Sequence, residues 1–277
     1  MNQRHITKPL SLRNGYKLWK VNYMHLRQII LVVGGSIRSN IRLMVQLRGI
    51  KLDWSPRQLD VDNAFLHGDL HKKQHGSSFI ALLVYADDVI LIGNSPFEIT
   101  SIKQLLHHKF CIKDLGKLKY FLGLEVSRTS KGIHICQQKY ALDILSESGM
   151  IASKPCSTPM IKGNKLLYDD TPPPYDQTAY RRLIGHLLYL TTTRPDISFV
   201  VQDLSQFMQS PRQPHFDVTT YVLRYIKCCP AQGLFFPADS DLQLKAFSDL
   251  DWATCPTTRQ SITGYCIFLG SSLISWR

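Results

Sequence analysis

The segment Phe79–Asn94, FIALLVYADDVILIGN, constrains the fold more than any other stretch of the chain. Two runs of β-branched and aliphatic residues, Phe79–Tyr85 and Val89–Ile92, have the length of strands and flank the adjacent acids Asp87 and Asp88. The pattern predicts a buried β-hairpin with two carboxylates at its turn. Such carboxylates are expensive to desolvate unless a cation meets them, and hard divalent ions take carboxylate oxygens. The plainer alternative makes both acids ordinary turn formers. The hairpin residues alone leave the two readings open.

A second acidic strand precedes the hairpin. In RQLDVDNAFLHGDL (57–70), Gln58–Val61 reads as a short strand carrying Asp60, with Asp62 on the same face two residues later. If both acidic strands converge, their carboxylates form the shared clamp for two divalent ions used in phosphoryl or nucleotidyl transfer. The sequence has no Walker loop to cradle phosphates. Tyr85, beside the acid pair, stands where a nucleotide or primer end would lie; its ordinary role is a half-buried strand aromatic.

Further along, Ser95-Pro96-Phe97-Glu98 is a helix start, with Ser95 as cap, Pro96 at the first position and Glu98 closing a capping box. Phe97, Ile102, Leu105 and Leu106 are expected on its buried stripe. Strands are expected at Lys119–Val126 and Gly132–Cys136, and a helix at Gln138–Ser148. A proline-rich linker follows over Ser153–Pro174, then helices at Thr178–Leu190, Ile197–Met208 and His215–Lys227. Strands return at Gln243–Ser248, Ile262–Leu269 and Leu273–Trp276. Residues 1–40 show no sustained period and read as a poorly ordered basic arm; Ile41–Ile50 reads as a helix.

Charge narrows the function classes. Lys and Arg number 33 against 21 Asp and Glu, a net charge of +12, which favours a polyanionic partner such as nucleic acid. Arg57, Lys103, Lys113, Lys117, Lys119, Arg181, Arg182 and Arg224 are candidate contacts, although most such residues are simply solvated. The seven cysteines form no CxxC pair and no zinc-like spacing. They read as reduced thiols of an intracellular protein. No apolar run has transmembrane length, so no membrane partner is expected.

These motifs, in this order, resemble the reverse transcriptase region of Ty1/copia-type retrotransposon Pol polyproteins. QLDVDNAFLHGDL is similar to that family's first catalytic motif and YADD to its Y-x-D-D metal motif. FCIKDLGKLKYFLGLEV, QQKYALDILSESGM, KPCSTPM, YRRLIGHLLYLTTTRPDISFVV, LSQFMQSP and VLRYIK resemble the stretches after the palm. AFSDLDWATCPTTRQSITGYCIFLGSSLISWR resembles the opening of the attached ribonuclease H domain.

The resemblance implies an α+β fold. It would comprise a truncated palm-like sheet with the acidic hairpin, a helical connection module and an incomplete ribonuclease H-like sheet at the C-terminus. The expected divisions are a divergent basic segment (1–40), a partial palm and thumb-like region (41–160), a helical connection (161–237) and a truncated ribonuclease H-like start (238–277). Asp60, Asp87 and Asp88 would be the catalytic, metal-holding carboxylates, served by Mg2+ or Mn2+. Val61, Phe65 and Tyr85 would lie near the nucleotide or primer, and Asp249 would be a vestigial ribonuclease H acid, with Asp251 its neighbour. RNA or an RNA–DNA hybrid and dNTPs are the implied partners; oligomeric state is not implied.

Three departures from the family's pattern point to a degenerate polymerase. His71–Ser78 replaces several dozen residues between the first motif and Y-x-D-D, including the SLYGLKQ-like stretch. Residues 1–40 hold no counterpart of the basic KARLVAKG-like run of the fingers. The sequence stops before the remaining ribonuclease H carboxylates, so that activity is not expected of a lone Asp249. Two alternatives stand beside this reading: a nucleic-acid-binding remnant without chemistry, and a decayed reading frame that does not fold.

Overall fold

The computed structural model describes residues 10–11, 17–23, 26–33, 57–61, 80–85, 88–110, 112–161, 176–241, 243–251 and 262–277. The chain divides into two units, residues 1–121 and 122–277. Helices and mainly antiparallel sheets make it an α+β protein.

Among the described residues, the first unit holds a seven-stranded sheet. Its strands are β1 (Leu10–Ser11), β2 (Lys17–Tyr23), β3 (Leu26–Val33), β4 (Arg57–Val61), β5 (Ile80–Tyr85), β6 (Asp88–Gly93) and β7 (Ile112–Lys117). They lie in the order β1-β2-β3-β5-β6-β4-β7. All neighbours are antiparallel except β3 and β5, which run parallel from Ile29↔Ile80 to Val33↔Val84. The predicted hairpin is therefore present as β5–β6. It sits in the middle of the sheet, with β4 antiparallel along β6 and hence parallel to β5, the next strand in sequence, with β6 between them.

Two expectations need correction in this unit. The arm expected over residues 1–40 contributes β1, β2 and β3. LRQIILVV carries the β-branched residues a strand needs, and β3 is paired on both sides, with β2 and β5. The helix α1 (Pro96–Phe110) starts at the predicted cap, where the Glu98 N–H donates to Ser95 Oγ at 3.4 Å. Its buried face is Ile99, Ile102 and Leu106, packed with Leu59, Ile80, Leu82, Val89, Leu91 and Ile112 of the sheet. Phe97, expected on that face, is 80% exposed. At 3.6 residues per turn it stands about 140° around the helix from Ile102. The helix expected at Ile41–Ile50 lies outside the described residues.

Strand β7 was not expected, since IKDLGK has neither alternation nor strong β propensity. Gly116 takes φ +84, a left-handed conformation that few other residues accept. This accompanies a register shift against β4 between Gln58 and Leu59. The short β8 (Tyr120–Phe121) is the last element of the unit.

In the second unit, β9 (Leu124–Thr129) and β10 (Gly132–Cys136) form a hairpin. The one long strand expected over Lys119–Val126 is broken, because Leu122 and Gly123 both have positive φ, 49° and 74°. A Cβ at Gly123 would stand 2.7 Å from the hydroxyl of Tyr189, which itself donates to the Leu122 carbonyl at 2.6 Å. A side chain at position 123 is thus excluded by space as well as by conformation. An unpredicted strand, β11 (Leu234–Pro237), pairs along β10.

The helices are α2 (Gln138–Glu147), α3 (Gln177–Leu190), α4 (Ser198–Ser205, after a 3-10 turn Pro195–Ile197) and α5 (Gln213–Cys228). Asp176 caps α3 by accepting from the Ala179 N–H at 2.9 Å. Ala141, Ile144, Leu145, Tyr180, Ile184, Leu187, Val200, Val201, Leu204, Val222 and Ile226 share one core. Helix α2 therefore belongs with the later helices in packing, although the sequence groups it with the preceding region. The Tyr180 hydroxyl donates to the Leu204 carbonyl at 2.9 Å, and burial pushes its pKa up. Arg194 is buried, yet its charge is met: it holds Asp196 at 2.7 Å, donates to the Cys229 carbonyl at 3.1 Å and lies over the Tyr225 ring. Removing either partner of such a pair strands a charge, which marks this group as structural.

The last sheet has the order β12 (Leu244–Asp251), β13 (Ile262–Leu269), β14 (Ser272–Trp276), all antiparallel. Trp276 is buried and its indole N–H donates to Ser198 Oγ at 3.1 Å, which ties β14 to α4.

Candidate active site

Strand register decides which acids meet. Asp88 opens β6 and pairs with Tyr85 of β5 on one side and Asp60 of β4 on the other. Asp60 pairs in turn with Lys113 of β7. Residues directly opposite one another share a face of the sheet, so Tyr85, Asp88, Asp60 and Lys113 form one row across four strands. The next residues along, Leu59 and Val89, belong to the other face, in the core with α1. The alternation that buries Val89 and Leu91 against the helix puts position 88 on the opposite face of β6.

Asp88 is half-buried, and its carboxylate accepts from Gln58 Nε2 at 3.1 Å. That amide fixes one oxygen without neutralising the group. Asp60 holds the register position directly opposite Asp88 on β4. Lys113, exposed at the end of the row, supplies a single positive charge in a position opposite Asp60. Its neighbour Asp114 faces other demands. Burial alone would raise the Asp114 carboxyl, but the Lys103 ammonium and the Gly116 N–H, at 2.9 Å, hold it below its usual range.

Of the residues singled out from sequence, Asp60 and Val61 end β4, Tyr85 ends β5 and Asp88 begins β6. Asp87 and Phe65 lie outside the described residues. Among the described residues no group of three or more His, Cys, Asp or Glu is placed to hold a metal; the set expected from sequence includes Asp87. Carboxylates, the residue type at Asp60 and Asp88, are chemically what a Mg2+ or Mn2+ ion prefers. Sequence reading missed Gln58 and named Lys113 only as a candidate nucleic-acid contact. The position of Gln58 two residues before Asp60 on a strand was a usable signal, while Lys113 was hidden in a strand with no strand-like pattern.

Asp249 is placed differently. It lies within β12 opposite Gly264, is exposed, and accepts from the N–H of Leu250 at 3.0 Å. Asp251 ends the same strand opposite Ile262. The basic residues also divide. Lys103 is paired with Asp114, Arg181 donates to the Met208 carbonyl at 2.7 Å, and Arg224 donates to the Lys154 carbonyl at 2.7 Å. Lys113, Lys117 and Lys119 are exposed in and just after β7.

Comparison with known proteins gives these positions a context. Residues 70–162 match the family described as reverse transcriptase (RNA-dependent DNA polymerase). An uncharacterized mitochondrial protein of Arabidopsis thaliana is 42% identical over 70% of this chain and 81% of its own length. The retrovirus-related Pol polyprotein from transposon RE1 of the same plant is 42% identical over 73% of this chain. The chain belongs to the reverse transcriptase family of copia-type retrotransposons. The corresponding polyprotein from transposon TNT 1-94 of Nicotiana tabacum is 32% identical over 74% of the chain. The chain spans only 14% of the RE1 polyprotein and 16% of the TNT 1-94 polyprotein. No solved structure matches it. The family match includes YADD but begins after Asp60, which enters the site through the pairing of β4 with β6. Among the described residues no helix is long and apolar enough to cross a membrane.

Proposed function

We propose that the chain is a degenerate RNA-directed DNA polymerase fragment that keeps the palm carboxylates Asp60, Asp87 and Asp88 but not the surroundings that make them efficient. The observation that carries the reading is the register that sets Asp60 directly against Asp88, on strands more than twenty residues apart in sequence. These carboxylates would hold Mg2+ or Mn2+, with Gln58 orienting Asp88 through its amide. Bound there, the ions supply the positive charge that activates an attacking hydroxyl and stabilises a leaving pyrophosphate. Val61 and Tyr85 end strands beside the acid row, where a nucleotide or primer end would lie, and Phe65 follows β4 in sequence. RNA or an RNA–DNA hybrid and dNTPs are the proposed ligands. Positioning of template, primer and nucleotide supplies much of the rate in such reactions, and the segment that would provide it is replaced by His71–Ser78. Asp249, exposed on β12, is proposed as a ribonuclease H vestige without activity.

The test has two arms on the purified chain, after a cooperative thermal melt has shown that it folds. Mn2+ binding, followed by the loss of the free-ion electron paramagnetic resonance signal, is expected for the natural chain and lost in Asp88→Asn. Primer extension on an RNA template is expected at no more than the level of Asp88→Asn. Extension that clearly exceeds that variant overturns degeneracy, and Mn2+ binding that ignores Asp88 overturns the site. Salt-dependent hybrid binding without Mn2+ binding favours a non-catalytic remnant that uses Lys113, Lys117 and Lys119.

A further inference from the structure

The linker expected over Ser153–Pro174 begins as a strap along α5, and bonds on both sides of Cys156 hold it there. Lys227 Nζ donates to the Ser153 carbonyl, and Arg224 Nε donates to the Lys154 carbonyl at 2.7 Å. Beyond Cys156, Thr158 Oγ1 lies 3.2 Å from the Tyr221 hydroxyl. Between these clasps the Cys156 N–H donates to the Arg224 carbonyl at 3.3 Å, and its thiol to the Tyr221 carbonyl at 3.5 Å.

Tyr221, Arg224 and Cys228 share one face of α5, at helical positions i, i+3 and i+7. The Arg224 carbonyl that takes the Cys156 N–H is also the i−4 acceptor for the Cys228 N–H. The two cysteine backbones therefore meet at one oxygen. Cα–Cβ bonds in a helix tilt toward its N-terminus, so the Cys228 side chain leans over the turn on which Cys156 sits. Partial desolvation, then Cys229 and Cys156, push the Cys228 thiol up, as expected of thiols that feel one another. Cys229 is the nearer neighbour in sequence but the poorer partner. Adjacent Cα atoms stand about 3.8 Å apart, short of the span of about 4.4–6.8 Å that a disulfide prefers.

We propose that Cys156 and Cys228 form a reversible disulfide that fastens the strap to the last turn of α5. Both are free thiols in this structure. The oxidant is a low-molecular-weight disulfide of the glutathione type. Cys228 is exposed and Cys156 half-buried, so the Cys228 thiolate attacks first, forms a mixed disulfide and releases one glutathione thiol. The Cys156 thiolate then attacks the Cys228 sulfur and releases the second. The protein thiols lose two electrons and two protons, and the oxidised glutathione gains both. Only thiolates react, so the exchange speeds up as pH rises toward the raised Cys228 value. Every contact used lies within the second unit, and the inference is independent of any activity of the acid row.

The test is thiol mapping of the full chain in glutathione buffers of rising oxidised fraction, with free thiols alkylated before digestion. A Cys156–Cys228 link is expected as the first and most abundant disulfide. It is expected to vanish in Cys156→Ser and in Cys228→Ser and to persist in Cys229→Ser. In concentrated urea the same buffers are expected to yield at least about tenfold less of it, because the fold no longer holds the pair together. A Cys228 that stops at the glutathione adduct, pairs with Cys229 or another cysteine, or links to Cys156 equally well in urea overturns the proposal. Oxidation is also expected to slow hydrogen exchange of the Cys156 amide about tenfold. An unchanged rate would show that the bond fastens nothing, and would equally overturn it.

Discussion

The chain has two acid-bearing strands, and the fold treats them in opposite ways. β6, DVILIG, lies between β5 and β4 with Val89, Ile90, Leu91, Ile92 and Gly93 buried, so its one acid is held where the sheet puts it. β12, LKAFSDLD, lies at an edge with its side chains in solvent, and Asp249 faces a glycine. Asp88 gains a meaning from what stands opposite; Asp249 has nothing comparable beside it among the described residues. A carboxylate in a recognisable motif becomes a candidate for chemistry when strand pairing gives it a second carboxylate, and remains a surface group when pairing does not.

The sharpest way to break this comparison is packing. Leu91→Ala in β6 removes a fully buried side chain and is expected to cost about 2–5 kcal/mol in a denaturant melt. Leu244→Ala in β12, where the side chain is exposed, should stay within about 0.5 kcal/mol of the natural chain. Equal losses would mean that β12 is covered. Next comes the ion. Asp60→Asn is expected to weaken Mn2+ binding about tenfold, near 1.4 kcal/mol, while Asp249→Asn should change it less than about twofold. Comparable losses from both would erase the distinction between the strands.

The smallest effect lies at the edge of the first sheet and depends on pH. The folded chain holds Asp114 below its usual range, so its contribution to stability is present above the unfolded carboxyl value and is lost as pH falls through the lower folded value. Lys103→Met removes the ammonium that causes much of this. Acid titration of the melting temperature should therefore show a shallower fall for Lys103→Met than for the natural chain below about pH 4. Identical slopes would mean that this partly exposed pair is fully screened.

The hairpin was readable because Phe79–Tyr85 and Val89–Ile92 are apolar enough to allow few other fates, and the helices of the second unit were readable from Ile197, Val200, Val201 and Leu204 at helical spacing. β7 and β11 were not. IKDLGK is a strand because β4 offers it partners, and LFFP because β10 does; neither carries a pattern of its own. Phe97 misled for a related reason, since an aromatic near a helix start looks buried until the other stripe residues fix the rotation. In the candidate site the acids were legible as residues. Their opposition, and the places of Gln58 and Lys113 beside them, depended on a register between distant strands that no local pattern states. The strand at Lys119–Val126 failed at Leu122 and Gly123, where a tyrosine far along the chain fills the space a longer strand would need.

The position of β4 in the sheet bears on how the molecule is made. β4 precedes both of its neighbours in sequence, yet ends between them, β6 on one side and β7 on the other. As the chain is synthesised, Asp60 emerges on a strand with two unpaired edges and waits for the hairpin and then for α1 and β7. Local contacts such as the β5–β6 turn form in microseconds, whereas pairings distant in sequence form more slowly. The acid row is thus assembled late, after the scaffold on either side of it. Any nascent chain that stalls before Lys113 displays an acidic, half-paired strand to whatever chaperone or protease reaches it first.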